Sequence, residues 1–115
     1  MKNISINPFN GKKFKIPENT DDKININRFL KNNKNKKIIV VQGLGFVGAV
    51  MSVVCANSDK NEYAVIGVDL RNEYNYWKIA SINQGEFPIK SSDPKVEEYF
   101  QNTIKMGNFL ATHDP

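Results

Sequence analysis

The pattern of apolar and polar positions divides the chain at residue 36. Before it, Pro8, Gly11 and Pro17 interrupt any regular period, so we expect a weakly ordered arm. Residues 22–31 could form one short helix within this arm. Its apolar positions, which could pack against the rest of the protein, are Ile24, Ile26, Phe29 and Leu30.

From residue 36 onward the pattern is that of a folded unit. Residues 36–42 are a β-branched run without alternation, typical of a strand covered on both faces in a parallel sheet. A glycine-rich turn spans residues 43–48. Residues 49–56 are apolar nearly all round and have the length of a buried helix. Residues 63–69 predict a second buried strand that ends in an acidic residue.

The rest of the chain continues this alternation of strands and helices. The predicted elements, in order, are a helix over residues 70–83 ended by Gly85, a loop over 86–92, a helix over 95–106 opened by Asp93 as N-cap and Pro94, and a strand over 109–112. We therefore predict an α/β fold of Rossmann type: a parallel sheet truncated to about three strands, in the order 3-2-1, with flanking helices. The domains are an arm over residues 1–35 and this half-fold over residues 36–115.

The glycine-rich turn predicts a dinucleotide site. Gly43, Gly45 and Gly48 follow an apolar strand and precede a helix, and Asp69 lies 21 positions after the last of them, at the end of the next strand. The first glycine permits a tight turn, the second lets a pyrophosphate approach the backbone, and the third lets the helix pack closely on the sheet.

Two backbone groups at the start of the predicted helix would hold the phosphates. The N–H groups of Phe46 and Val47 lie in the first helical turn, where donors have no intrahelical partner and the helix dipole favours an anion. Their side chains can therefore be apolar.

The residue at the end of the second strand predicts which dinucleotide binds. The Asp69 carboxylate can accept both ribose hydroxyl hydrogens, whereas a 2′-phosphate would meet a like charge. NAD is therefore favoured over NADP. Arg71 is the kind of residue that accommodates a 2′-phosphate, but with Asp69 present we interpret it as a solvent-facing or adenine-stacking group.

Composition and charge narrow the function classes. The net charge of +4 comes from the arm, where eight basic and three acidic residues give +5, so the body carries −1 and has no basic face for nucleic acid. No apolar run is long enough to cross a bilayer and the start has no signal-peptide pattern, so we expect a cytoplasmic protein without a membrane partner. The single cysteine, Cys55, lies inside the apolar helix and is expected to be buried and inert, and one cysteine excludes a thiolate metal cluster.

Beyond these patterns, the sequence of residues 36–115 resembles a known family. Besides the glycine turn, the similarity rests on Gly67-Val68-Asp69, Ile82-Asn83-Gln84-Gly85, Pro88-Ile89 and Asn108-Phe109-Leu110-Ala111-Thr112. These segments look like the amino-terminal NAD-binding region of the UDP-glucose/GDP-mannose dehydrogenase family, the nucleotide-sugar dehydrogenases. The basic residue that follows the acidic strand end in this family would correspond to Lys78. The family's Glu-Pro pair after Pro-Ile is missing.

The resemblance implies a function in polysaccharide biosynthesis. The family, which includes UDP-glucose 6-dehydrogenase and UDP-N-acetylmannosamine dehydrogenase, oxidises the C6 alcohol of a UDP-sugar to the uronate. It uses two NAD and a covalent thiohemiacetal on a cysteine in a later region. Cys55 is not the counterpart of that cysteine, so we expect this chain to be an inactive fragment of an oxidoreductase that forms homo-oligomers.

Two alternatives stay open. The half-fold could come from another NAD-dependent oxidoreductase, such as a hydroxyacid or 6-phosphogluconate dehydrogenase, since many of these share a similar glycine turn. Alternatively, the chain could be a non-enzymatic binding module that acts through its basic arm, which would give strongly salt-dependent nucleic-acid binding instead of NAD binding.

Overall fold

The computed structural model describes residues 3–18, 22–58, 62–88 and 94–113. Within these residues the chain forms a two-stranded hairpin, a three-stranded sheet and four helices. The elements in chain order are β1 (Ile4–Ile6), β2 (Lys13–Lys15), α1 (Lys23–Asn32), β3 (Lys37–Gln42), α2 (Phe46–Ala56), β4 (Tyr63–Val68), α3 (Tyr76–Asn83), α4 (Pro94–Met106) and β5 (Phe109–Thr112).

The three-stranded sheet has the predicted order and direction. β4 lies in the centre and pairs in parallel with β3 on one side and with β5 on the other. Residue 39 of β3 lies beside Val65, which in turn lies beside Phe109. The α/β fold with a Rossmann-type sheet in the order 3-2-1 is therefore confirmed.

Helices cover both faces of the central strand. On one face, residues of α2, α3, α4 and β5 form the main core together with Val65. On the other face, Phe29 of α1 packs with three residues of β4: Ala64, Ile66 and Val68. The residues of the main core are Leu44, Val53, Ala56, Val65, Ile79, Ile82, Phe100, Phe109 and Ala111.

The prediction that β3 is covered on both faces was wrong. Ile38 and Val40 are 40% and 59% exposed, because they lie on the face where α1 packs against β4 and β5, and β3 lies beyond that contact at the edge of the sheet. Helix α2 is also less enclosed than its composition suggests. On its outer side Met51 and Val54 remain about half exposed.

The N-terminal arm is more ordered than its sequence suggests. β1 and β2 pair in antiparallel fashion, with Ser5 opposite Phe14. Phe14 is buried against Trp77 and Ala80 of α3, which anchors the hairpin to the body. Strands of three residues are too short to show a convincing alternation, so the sequence pattern missed them.

The helix predicted within the arm is present, but only part of its apolar face is buried. Phe29 is buried in α1, and Leu30 packs beside it. Ile24, by contrast, is 77% exposed.

Helix α3 begins six residues later than predicted. The side-chain carbonyl of Asn72 accepts hydrogen bonds from the backbone N–H groups of Tyr74 and Asn75, at 3.0 and 2.9 Å. Such an Asx turn competes with the helix, so the backbone becomes helical only from Tyr76. The predicted N-cap Asp93, and with it most of the loop before α4, lies outside the described residues.

Candidate nucleotide-binding site

The glycine turn joins β3 to α2 at the carboxyl edge of the sheet. Gly43 has a φ of 92°, in the left-handed region that disfavours other residues. Its N–H donates to the carbonyl oxygen of Val68 at 2.7 Å, which fixes the turn to the end of β4. Gly43 therefore has the conformational role expected of the first glycine.

Gly48 and Gly45 differ in the space around them. A Cβ atom at Gly48 would lie 1.8 Å from the carbonyl oxygen of Gly43, so only glycine lets α2 approach the turn this closely. A Cβ at Gly45 would meet nothing within 4 Å. Gly45 therefore faces open space, as expected where a phosphate group must come close to the backbone.

The start of α2 presents backbone donors toward this space. The N–H of Ala49 donates to the carbonyl oxygen of Gly45 at 2.9 Å, which is the first turn of the helix. The amides of Phe46 and Val47 precede it and so lack a carbonyl one turn earlier. The side chain of Val47 is 73% exposed. These two amides fit an anionic group.

Asp69 lies beside the same turn, immediately after β4. Its Oδ2 accepts a hydrogen bond from the N–H of Leu44 at 2.8 Å, and its Oδ1 accepts one from the N–H of Leu70 at 2.7 Å. The ammonium group of Lys78 lies 3.8 Å from Oδ2. Each carboxylate oxygen has a second lone pair, so the group can still accept from a ribose while it holds the glycine turn.

Arg71 points toward the N-terminal arm. Its Nη1 donates to the carbonyl oxygens of Pro17 at 2.7 Å and Glu18 at 3.3 Å. We expected a solvent-facing or adenine-stacking group, and contacts with the arm were not anticipated because the arm was interpreted as weakly ordered.

Sequence reasoning missed the role of Leu44 in this site. Leu44 is fully buried, and its Cδ2 lies only 2.5 Å from where a Cβ at Gly67 would be. The absence of a side chain at position 67 of β4 thus makes room for Leu44, whose N–H is then held by Asp69. A glycine inside an otherwise apolar strand was the available signal.

A groove of about 740 Å³ runs along the free edge of β3, beside the glycine turn. It is lined by apolar side chains of β3 and α2 and includes Cys55. Cys55 is only partly buried, so the prediction of a buried thiol was wrong: its side chain packs against the main core and also lines this groove. Among the described residues, no group of three or more acidic, histidine or cysteine side chains could hold a metal ion.

The sequence of this unit matches a family model over residues 36–115, that of the NAD-binding domain of the UDP-glucose/GDP-mannose dehydrogenase family. The chain belongs to the UDP-glucose/GDP-mannose dehydrogenase family. NAD is therefore its cofactor, and the match begins just after the N-terminal arm.

A solved member of the nucleotide-sugar dehydrogenases has a similar fold. It is the NDP-N-acetyl-D-galactosaminuronic acid dehydrogenase from Methanosarcina mazei Go1, with 31% identity and a TM-score of 0.61. The alignment covers 75% of this chain but 18% of the solved one, so the chain spans less than a fifth of that dehydrogenase. A comparison with curated proteins finds no match.

None of the described helices is both long enough and apolar enough to cross a membrane.

Proposed function

We propose that this chain is the NAD-binding part of a nucleotide-sugar 6-dehydrogenase and holds the adenosine and pyrophosphate portions of NAD. The observation that carries the proposal is the junction of the glycine turn with Asp69: open space at Gly45, the first-turn amides of α2, and a carboxylate 2.8 Å from the Leu44 nitrogen. These are the features that a pyrophosphate next to a ribose requires.

Each site residue then has one task. The turn through Gly43 and the close approach at Gly48 support the backbone, Gly45 gives the pyrophosphate access to it, and the amides of Phe46 and Val47 donate to the phosphate oxygens. The ribose hydroxyls donate to Asp69, which selects NAD over NADP by charge.

Lys78 supplies positive charge beside that carboxylate, whereas Arg71 is held by the arm. Lys78 lies close enough to balance part of its negative charge. We assign Arg71 to the adenosine end of the site, because it follows Asp69 by two residues and lies at the same edge of the sheet.

The whole enzyme would oxidise the C6 alcohol of a UDP-sugar to the uronate. This removes four electrons, so two NAD are reduced to two NADH and one water supplies the second carboxylate oxygen. NAD accepts the hydride in each oxidation when it is bound. The family resemblance implies a cysteine nucleophile in a later region. Cys55 does not serve as that nucleophile. It lines the apolar groove along β3 and α2, and it lies more than one turn of α2 beyond Gly48, the last glycine of the glycine-rich segment.

The chain of 115 residues should therefore bind NAD without oxidising a sugar. We also propose that the enzyme acts in the cytoplasm and assembles as a homo-oligomer, with neither nucleic acid nor membrane as a partner. The free edge of β3 and the exposed apolar residues of α2 support the proposed self-association.

An assay of the chain together with its downstream sequence tests the proposed function. NADH formation with UDP-glucose and UDP-N-acetylmannosamine is compared with that from small hydroxy acids and 6-phosphogluconate. Two NADH per UDP-sugar are expected, with no turnover of the hydroxy acids. Turnover of a hydroxy acid with one NADH would instead support membership of another class of NAD-dependent oxidoreductase.

A further inference from the structure

The loop between β4 and α3, residues 69–75, carries both Asp69 and Arg71 and is held by the N-terminal arm. The hydroxyl of Ser5 donates to the carbonyl oxygen of Glu73 at 2.8 Å and accepts from the N–H of Trp77 at 2.9 Å. Ser5 is fully buried, so this bridge is protected from water. The hairpin thus fixes the end of the loop at the start of α3.

The same hairpin determines the position of the carbonyl groups that hold Arg71. Pro17 comes two residues after β2, and the central residue of that strand, Phe14, is buried against α3. Ile16, between them, is also buried. The carbonyl oxygens of Pro17 and Glu18 are therefore presented to the guanidinium group by a segment anchored on both α3 and the loop.

We propose that the N-terminal arm is a specificity element of the nucleotide site: it holds Arg71 on its own carbonyl oxygens and so keeps this guanidinium group from serving a 2′-phosphate. The inference rests on the proposed function, because it assumes that adenosine binds beside Asp69. The arm lies before residue 36, outside the region matched by the family model.

The chemistry of Arg71 explains why its position matters. An arginine beside the ribose can bind a 2′-phosphate with two parallel N–H groups, which offsets the repulsion from a nearby carboxylate. In this protein Nη1 already donates to two carbonyl oxygens of the arm. These bonds direct the guanidinium group toward Pro17 and Glu18, so turning it toward a 2′-phosphate beside Asp69 would break them, whereas NAD, which has hydroxyls at the ribose, does not need Arg71.

Ser5→Ala in the full 115-residue chain tests this inference. It removes the bridge between hairpin and loop without changing a residue that meets the ligand. Calorimetry with NAD and with NADP should show the ratio of NADP affinity to NAD affinity rising by about threefold to tenfold, since the loss of about one to two hydrogen bonds loosens the arm. A general loss of stability would weaken the binding of NAD and NADP equally and leave the ratio of their affinities unchanged.

The double variant Ser5→Ala/Arg71→Ala identifies the group responsible. The ratio should return to that of the unaltered protein, because no guanidinium remains to bind the phosphate. Lys12→Ala is the matched control: it breaks the exposed ion pair with Glu86 at the other side of the hairpin, at 3.0 Å, and should leave the ratio unchanged.

Three outcomes decide the inference. An unchanged ratio in Ser5→Ala, or an equal rise in the double variant, overturns it while leaving NAD binding intact. No dinucleotide binding by any variant overturns the proposed function and this inference with it. If Ser5→Ala does not fold, Thr112→Val is measured in its place and should raise the ratio of NADP affinity to NAD affinity in the same way. The Thr112 hydroxyl donates to Asp22 at 2.7 Å and so fastens the arm beyond Glu18.

Discussion

The carboxylate of Asp69 accepts a hydrogen bond from the backbone N–H of Leu44, with 2.8 Å between Oδ2 and the nitrogen. This bond joins the end of β4 to the middle of the glycine turn after β3. One side chain therefore shapes the turn and, in the proposed site, also accepts the ribose hydroxyls. Substitutions at Asp69 should consequently affect folding and cofactor affinity together, and the two effects can be separated.

We expect Asp69→Ala to weaken NAD binding by on the order of tenfold to a hundredfold, since charge-assisted hydrogen bonds to the ribose are lost. Asp69→Asn retains an acceptor for Leu44 but lacks the charge, so it should unfold closer to the temperature of the unaltered protein while still losing discrimination against NADP. Calorimetry and thermal unfolding measure the two effects. Tighter binding of NADP than of NAD by the unaltered protein would contradict the role of Asp69.

Gly45→Ala and Gly48→Ala form a matched pair in the same turn. The added methyl group at position 48 would meet the Gly43 carbonyl, so we expect a loss of roughly 1–3 kcal/mol or more in the free energy of unfolding. At position 45 the methyl group enters open space, so stability should stay within about 0.5 kcal/mol. NAD affinity should nevertheless fall in Gly45→Ala. Equal stability losses in both variants would show that the open space is not as described.

The loss of stability at alkaline pH should depend on Tyr76. Burial raises the pKa of the Tyr76 phenol above its ordinary value, and the negative charge of Asp22 raises it further. The unfolded chain then loses this proton at a lower pH than the folded chain does. The free energy of unfolding therefore falls as pH rises from about 10 through the folded pKa. Tyr76→Phe should show a smaller fall in the free energy of unfolding over this alkaline range. An unchanged pH profile in that variant would contradict this assignment.

The free edge of β3 should make the chain self-associate. The described residues of the arm pair with each other, as β1 with β2, and do not cover this edge, on which Val40 is 59% exposed. We expect light scattering to show oligomers that dissociate in Val40→Lys, because an edge lysine opposes strand pairing. A monodisperse monomer for the unaltered chain would refute this expectation.

The sequence predicted the structure best where a structural feature depends on the residue type at single positions. The turn from Gly43 to Gly48 needs a left-handed residue and a close helix contact, and these are properties of single positions. The arm could not be predicted in this way. Its order comes from Phe14 and Ser5 against α3, contacts between residues more than 60 positions apart that leave no periodic signal.

Arg71 illustrates the same limit within the site. Its distance from Asp69 along the chain predicted its proximity to the adenosine end, but its partners are main-chain carbonyl groups of the arm, and any residue type offers a carbonyl. The start of α3 was misplaced for a related reason, because the Asn72 side chain competes with the helix through local hydrogen bonds that periodicity does not detect.

An amide chemical-shift titration of the isotopically labelled chain with NAD tests directly whether the glycine turn and Asp69 bind this cofactor. We expect the largest changes at Gly45, Phe46 and Val47, where the pyrophosphate meets the backbone, and at Asp69 and Leu70, where the ribose binds. The same titration with NADP should reach these changes only at higher concentration. Saturable changes confined to other parts of the chain, or none with NAD, would contradict the assignment of the glycine turn and Asp69 as the NAD site.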